Sequence, residues 1–150
     1  MNRFLVYTIL IFFAITFLCS CESGPYSAPL NQTTANILNV EFLSGNSENA
    51  QSIHEYYSGC IINTLEQERL DEFVDELLKV EFYLPMLDSA RLLGDVAIRI
   101  VYQDGSSDLI GTSTNYYVDR EWNVLRAGRY CPDDEAYKNL VSSFLKGQIE

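Results

Sequence analysis

Val96-Ala97-Ile98-Arg99-Ile100-Val101-Tyr102-Gln103-Asp104-Gly105 alternates apolar and smaller or polar residues, then runs into the dipeptide that a tight hairpin turn requires. A period of two over seven residues is the mark of a strand with one face more deeply buried than the other. The Asp-Gly turn sends the next strand, Ser107 to Thr112, back antiparallel. Asn115 to Asp119 and Trp122 to Tyr130 make a further hairpin through Arg120 and Glu121.

Upstream, Ile37 to Leu43 repeats the alternation, with Leu38, Val40 and Phe42 on one side and Asn39 and Glu41 on the other. Ser44-Gly45-Asn46 breaks it, and a second extended segment falls within Ile53 to Ile62, interrupted by Ser58-Gly59. Thr64 with Gln67 fits a capping box, and Glu66 and Glu68 put negative charge where a helix dipole favours it. Leu70, Phe73, Val74, Leu77 and Leu78 then form one helical stripe, with Asp71, Glu72, Asp75 and Glu76 opposite and Pro85 as a stop. Pro132 to Glu135 starts a second helix whose stripe is Tyr137, Leu140, Val141, Phe144 and Leu145. The expected class is α+β: an antiparallel sheet of about five or six strands with two amphipathic helices packed on one face.

The chain has 150 residues, 47% hydrophobic and 13% aromatic, with a formal net charge of -11. That apolar fraction buries about two-thirds of the unfolded surface at this length, which suits one domain. A negative chain repels phosphate backbones, so no nucleic-acid partner is expected.

The hydrophobic total is raised by the N-terminus, where Arg3 precedes an uninterrupted apolar run from Phe4 to Phe17. Fourteen helical residues rise about 21 Å, short of a roughly 30 Å hydrocarbon core, so the run reads as a secretion signal. It ends in Leu18-Cys19-Ser20-Cys21, which resembles the lipobox of bacterial lipoproteins: an aliphatic residue three before the modified cysteine and a small residue directly before it. The resemblance implies that Cys21 becomes the first mature residue and carries diacylglycerol, with palmitate-type acyl chains. It implies a cell-envelope protein, lipid-anchored to a membrane on its extracytoplasmic side. Removing residues 1–20 removes one positive charge and no acid, so the mature chain carries -12. The expected organisation is a signal peptide at 1–20, the lipidated cysteine and a flexible tether at 21–36, and one α+β domain at 37–150. The order of elements, and the Tyr-x-Asp-Gly turn at Tyr102 to Gly105, is also similar to small lipoprotein domains of unassigned activity.

With Cys21 lipidated, Cys60 and Cys131 are the cysteines that remain, and export to an oxidising compartment makes a disulfide between them the expectation, with two buried thiols as the alternative. They precede the two predicted helices, whose starting ends would meet if both pack on one sheet face.

Chemistry is sparsely marked. His54 is the single histidine, and no nucleophile elbow, phosphate loop or dinucleotide fingerprint accompanies it. The helical acids diverge into solvent, and Asp104 to Asp108 lacks the later glutamate of a calcium loop. No metal, cofactor or catalytic residue is therefore assigned, and the chain is not expected to be an enzyme. The aromatic residues stand out, because Tyr and Trp give rigid contact area with a polar tip. Tyr116, Tyr117 and Trp122 are the candidate partner-binding residues. The expected function is a membrane-anchored extracytoplasmic, non-catalytic protein-binding module. A glycan-binding module or a hydrolase of cell-wall or surface glycan is the alternative.

Overall fold

A computed structural model describes residues 25–45, 52–57, 60–84, 96–128 and 130–145. Strands β1 (Ile37–Ser44), β2 (Ile61–Thr64), β4 (Val96–Tyr102), β5 (Ser107–Ile110), β6 (Asn115–Val118) and β7 (Val124–Ala127) form an antiparallel sheet ordered β2-β1-β4-β5-β6-β7. Strands β3 (Phe82–Tyr83) and β8 (Cys131–Pro132) pair separately as a short antiparallel ribbon. Helix α1 (Ile53–Tyr57) is short, and the longer helices are α2 (Leu70–Leu77) and α3 (Asp134–Leu145). The α+β class follows as the patterning requires.

Register puts Val40, Ile100, Asp108, Tyr117 and Arg126 in one row straight across β1, β4, β5, β6 and β7. The row changes character half-way. Over β1 and β4 the same face carries Val40, Phe42, Ile98 and Ile100, and the stripes of α2 (Leu70, Phe73, Leu77) and α3 (Tyr137, Leu140, Val141, Phe144) close it into the main core. Phe73 sits edge-on between Phe42 and Phe144, with centroids 6.0 and 5.2 Å away. The Tyr137 hydroxyl shares its proton between the carbonyls of Ile110 (2.8 Å) and Val96 (3.2 Å), fastening α3 to the ends of β4 and β5. Over β5 to β7 the row is polar, and among the described residues no helix covers it.

That half is crossed instead by the chain from Pro25 to Asn36, the segment expected to be a flexible tether. It is a strap. Tyr26 exchanges two backbone hydrogen bonds with Phe82 and tilts its ring on Tyr130 at 5.0 Å. Tyr26, Ala28 and Leu30 pack on the main core, and apolar burial of this kind is what a free tether lacks. Residues 1–24 lie outside the described residues, so the signal and Cys21 do as well.

The second sheet face packs Leu43, Ala97, Leu109 and Val118 with Tyr57 of α1. Residues 53–57 are thus helical rather than extended, because Ile53, Tyr56 and Tyr57 supply a cover for this face. The capping box at Thr64 and Gln67 does not form: Thr64 is paired with Glu41 in β2, a 3-10 turn occupies Gln67–Arg69, and α2 begins at Leu70. Leu78 leaves the buried stripe and is 46% exposed, because α2 has ended at Leu77.

This placement also corrects the expected disulfide. Cys60 and Cys131 are not within bonding distance. Cys60 does not start a helix; it leads into β2 at the sheet margin, where its carbonyl accepts from the Ser44 amide. Cys131 lies in β8, paired with Tyr83, and burial pushes its thiol pKa up, toward the inert protonated form.

Candidate binding cleft

The polar end of the cross-strand row and the strap enclose a cleft of about 390 Å3, lined by Leu30, Asn31, Asn115, Tyr117, Arg126 and Tyr130 among others. Leu84 closes one side. The volume lies at the small end of ligand sites. Asp108 is the buried anchor of this region. Its carboxylate accepts from the Asn31 amide (2.8 Å), the Asn31 side chain (2.6 Å) and the Tyr102 hydroxyl. Burial raises its pKa, against the pull of those donors and of Arg126. The Tyr102 hydroxyl is pushed up as well, first by burial and then by the adjacent Asp108 charge, so it stays a donor.

With its amide committed to Asp108, Asn31 can present only its oxygen outward, and Arg126 donates to that oxygen at 3.2 Å. Tyr102, Asp108, Asn31 and Arg126 thereby form a chain of contacts that orients the guanidinium at the cleft rim. A second network holds the strap beside it. Ser106 donates to Asp104 (2.6 Å) and accepts from Gln32 and Tyr117 (2.9 Å each), which fixes the Tyr117 ring. Hydrogen bonds from the Ser106 hydroxyl and amide hold Asp104 below the usual carboxylate range.

At the far wall Gly128 is required for packing. A Cβ there would lie 1.9 Å from the Asn115 side-chain oxygen, which accepts from the Tyr130 amide. Any side chain at 128 would expel Asn115 from the lining.

The three aromatic candidates do not converge. Tyr117 faces the cleft, whereas Tyr116 and Trp122 belong to the opposite face and pack on Leu43, Leu109 and Val118. Trp122 covers the Arg99 guanidinium at 4.4 Å, while Arg99 pairs with Glu41 at 3.1 Å and donates to Ser107. His54 lies edge-on to Trp122, with ring centroids 5.7 Å apart. Trp122 has φ +66, a left-handed backbone that its hairpin position imposes. Among the described residues, the cleft lining contains Arg126 as a cation and no carboxylate, and no group of His, Cys, Asp or Glu is placed to hold a metal ion.

Asn31, Gln32 and Arg126 carried no functional signal in the sequence. Asn31 and Gln32 lie in a stretch without hydrophobic periodicity, and Arg126 is a lone cation in a short strand; register joins Arg126 to Tyr117, and side-chain hydrogen bonds bring the strap to them. Compared with known proteins, the chain matches no family model, no curated protein and no solved structure.

Proposed function

We propose that this chain is a lipid-anchored extracytoplasmic domain that binds a protein partner without catalysing a reaction, taking an extended segment of that partner along β7 beside the cleft. The observation that carries this reading is β7 itself. Among the described residues it is an outer strand of the six-stranded sheet, with β6 as its neighbour, and all four of its residues are exposed, Val124 at 48% and Leu125 at 56%. An open, apolar strand edge offers main-chain hydrogen bonds to an added strand, and the neighbouring cleft offers a pocket for one of its side chains. Tyr117 and Arg126, on one row of that edge, supply an aromatic wall and a cation.

The lipid anchor rests on Leu18, Ser20 and Cys21. A fatty-acid probe tests it in cells. Label and membrane fractionation are lost in Cys21→Ala; retention of both refutes the lipobox reading.

The partner site is tested by a photo-crosslinking residue at Leu125, with a second at Asp71 on the outer face of α2 as comparison. A discrete protein adduct at 125 that Arg126→Glu or Ala127→Pro abolishes is the expected result. Adducts equal at both positions, or unchanged by those substitutions, would sink it. Tyr117 and Tyr130 flanked by the amides of Asn31 and Asn115 also favour a second reading, a sugar ring stacked in the cleft. Saturable shifts of those amide side chains with soluble wall-glycan fragments would support that alternative.

A further inference from the structure

We propose that the end of the domain carrying β3 and the start of the strap lies against the bilayer that holds Cys21, with Tyr83 and Leu84 entering its interfacial layer. The proposal rests on the lipid-anchor reading and adds an orientation to it. Five residue steps separate Cys21 from Tyr26. Fully extended they span about 18 Å. Tyr26 is fixed to the domain by two backbone bonds with Phe82 and by its contact with Tyr130, so slack cannot be drawn from further along the strap. A domain of this size has a diameter of roughly 35 Å, about twice that span. The chain is therefore too short for the domain to turn its opposite end toward the membrane.

Sheet register shows which end is held. Leu84 lines the cleft with Asn115, Gly128 and Tyr130, beside the Ile110 end of β5, which pairs with Asn115. The opposite end of the sheet carries the turn around Asp104, next to Tyr102, and the hairpin around Glu121, beyond the Ser107–Val118 pair. The membrane-proximal end exposes Tyr83 (38%) and Leu84 (43%), a phenol suited to the headgroup level next to an aliphatic side chain suited to the acyl boundary.

Charge does not supply this contact. Glu81, Asp133 and Asp134 are exposed nearby, and the mature chain is strongly negative, so an anionic leaflet repels it. The short covalent link imposes the apposition, and the apolar pair makes it tolerable. Leu84, Asn115, Gly128 and Tyr130 of the cleft wall lie at this same end, which places a bound ligand within reach of the membrane surface.

The test uses the full lipidated chain purified into phosphatidylcholine nanodiscs, with a photo-crosslinking residue at Tyr83 or Leu84, or at Gln103 or Glu121 in the opposite end. Two positions at each end guard against one that disturbs folding, which circular dichroism checks. The expected result is at least about fivefold more lipid adduct at 83 and 84 than at 103 and 121. Mass spectrometry of the Cys21 peptide is measured on the same sample. Lipid on Cys21 with uniform or reversed adducts overturns the orientation and leaves the anchor standing; no lipid on Cys21 overturns both.

Discussion

Arg99 is held from three directions, by Glu41, by Ser107 and by the Trp122 ring, and all of it lies within the sheet face that α1 covers. Removing one member of a largely buried pair leaves the other charge without its partner, which costs more than the pair itself contributes. Arg99→Met is therefore expected to destabilise the fold by about 2–3 kcal/mol in urea denaturation. The double variant Glu41→Leu/Arg99→Met should recover part of that loss; a double variant worse than the sum of the singles would contradict this account. Asp108 gives a second residue-scale prediction. Its pKa in the folded chain is raised above 3.8 because burial penalises the charge. The folded state thus binds this proton more tightly than the unfolded state. From this group alone, stability falls as pH rises through the window that opens at 3.8 and ends above it. A 13C titration of the Asp108 carboxyl should give a midpoint above 3.8, and Asp108→Ala should flatten that part of the stability profile. A midpoint below it would reverse the sign.

Among the elements, α3 is fastened by polar groups at both ends of its apolar stripe, the Tyr137 hydroxyl near its start and the Phe144 carbonyl, which accepts from the Asn63 side chain, near its end. Tyr137→Phe keeps the ring in the core and removes the hydroxyl that donates to the Ile110 and Val96 carbonyls, for an expected loss of about 1–2 kcal/mol by thermal or urea unfolding. Val124→Lys on β7 should change stability by less than about 0.5 kcal/mol, since the side chain is exposed, while abolishing the partner adduct formed at position 125. The stripes of α2 and α3 and the alternation of β4 were legible because each element's own periodicity encodes its burial; in β1 it held from Val40 onward, whereas Leu38, expected beside Val40 and Phe42, is 55% exposed because the register shifts between Ile37 and Asn39 and Ile37 is buried in its stead. Residues 53–57 were not, since Ile53, Tyr56 and Tyr57 are helical only through what they cover. Strand β3 escaped notice for a similar reason: two residues carry no period, and Phe82 is a strand residue through its pairing with Pro132 and Tyr26. The cleft was legible in one residue, Tyr117. Its remaining walls come from segments up to 95 positions apart, and no local pattern joins Asn31 to Arg126.

For the whole molecule, the strap is part of the fold. Removing residues 22–24 should leave the melting temperature of the non-lipidated domain unchanged, whereas removal through Gln32 should lower it by several degrees, because Asp108 then loses both donors of Asn31 and Tyr130 loses its ring contact with Tyr26. Reducing agent should not shift the melting temperature at all, since Cys60 and Cys131 are not joined; a clear fall on reduction would restore the bridge. The strap also has a consequence in time. Its hydrogen bonds reach across 72 to 95 residues, to Asp104, Asp108 and Arg126. Loop closure over such separations is slow and pays only once the far partners are in place. The segment synthesised ahead of the domain is therefore expected to dock last, so that the cleft it walls would form only as folding runs to completion.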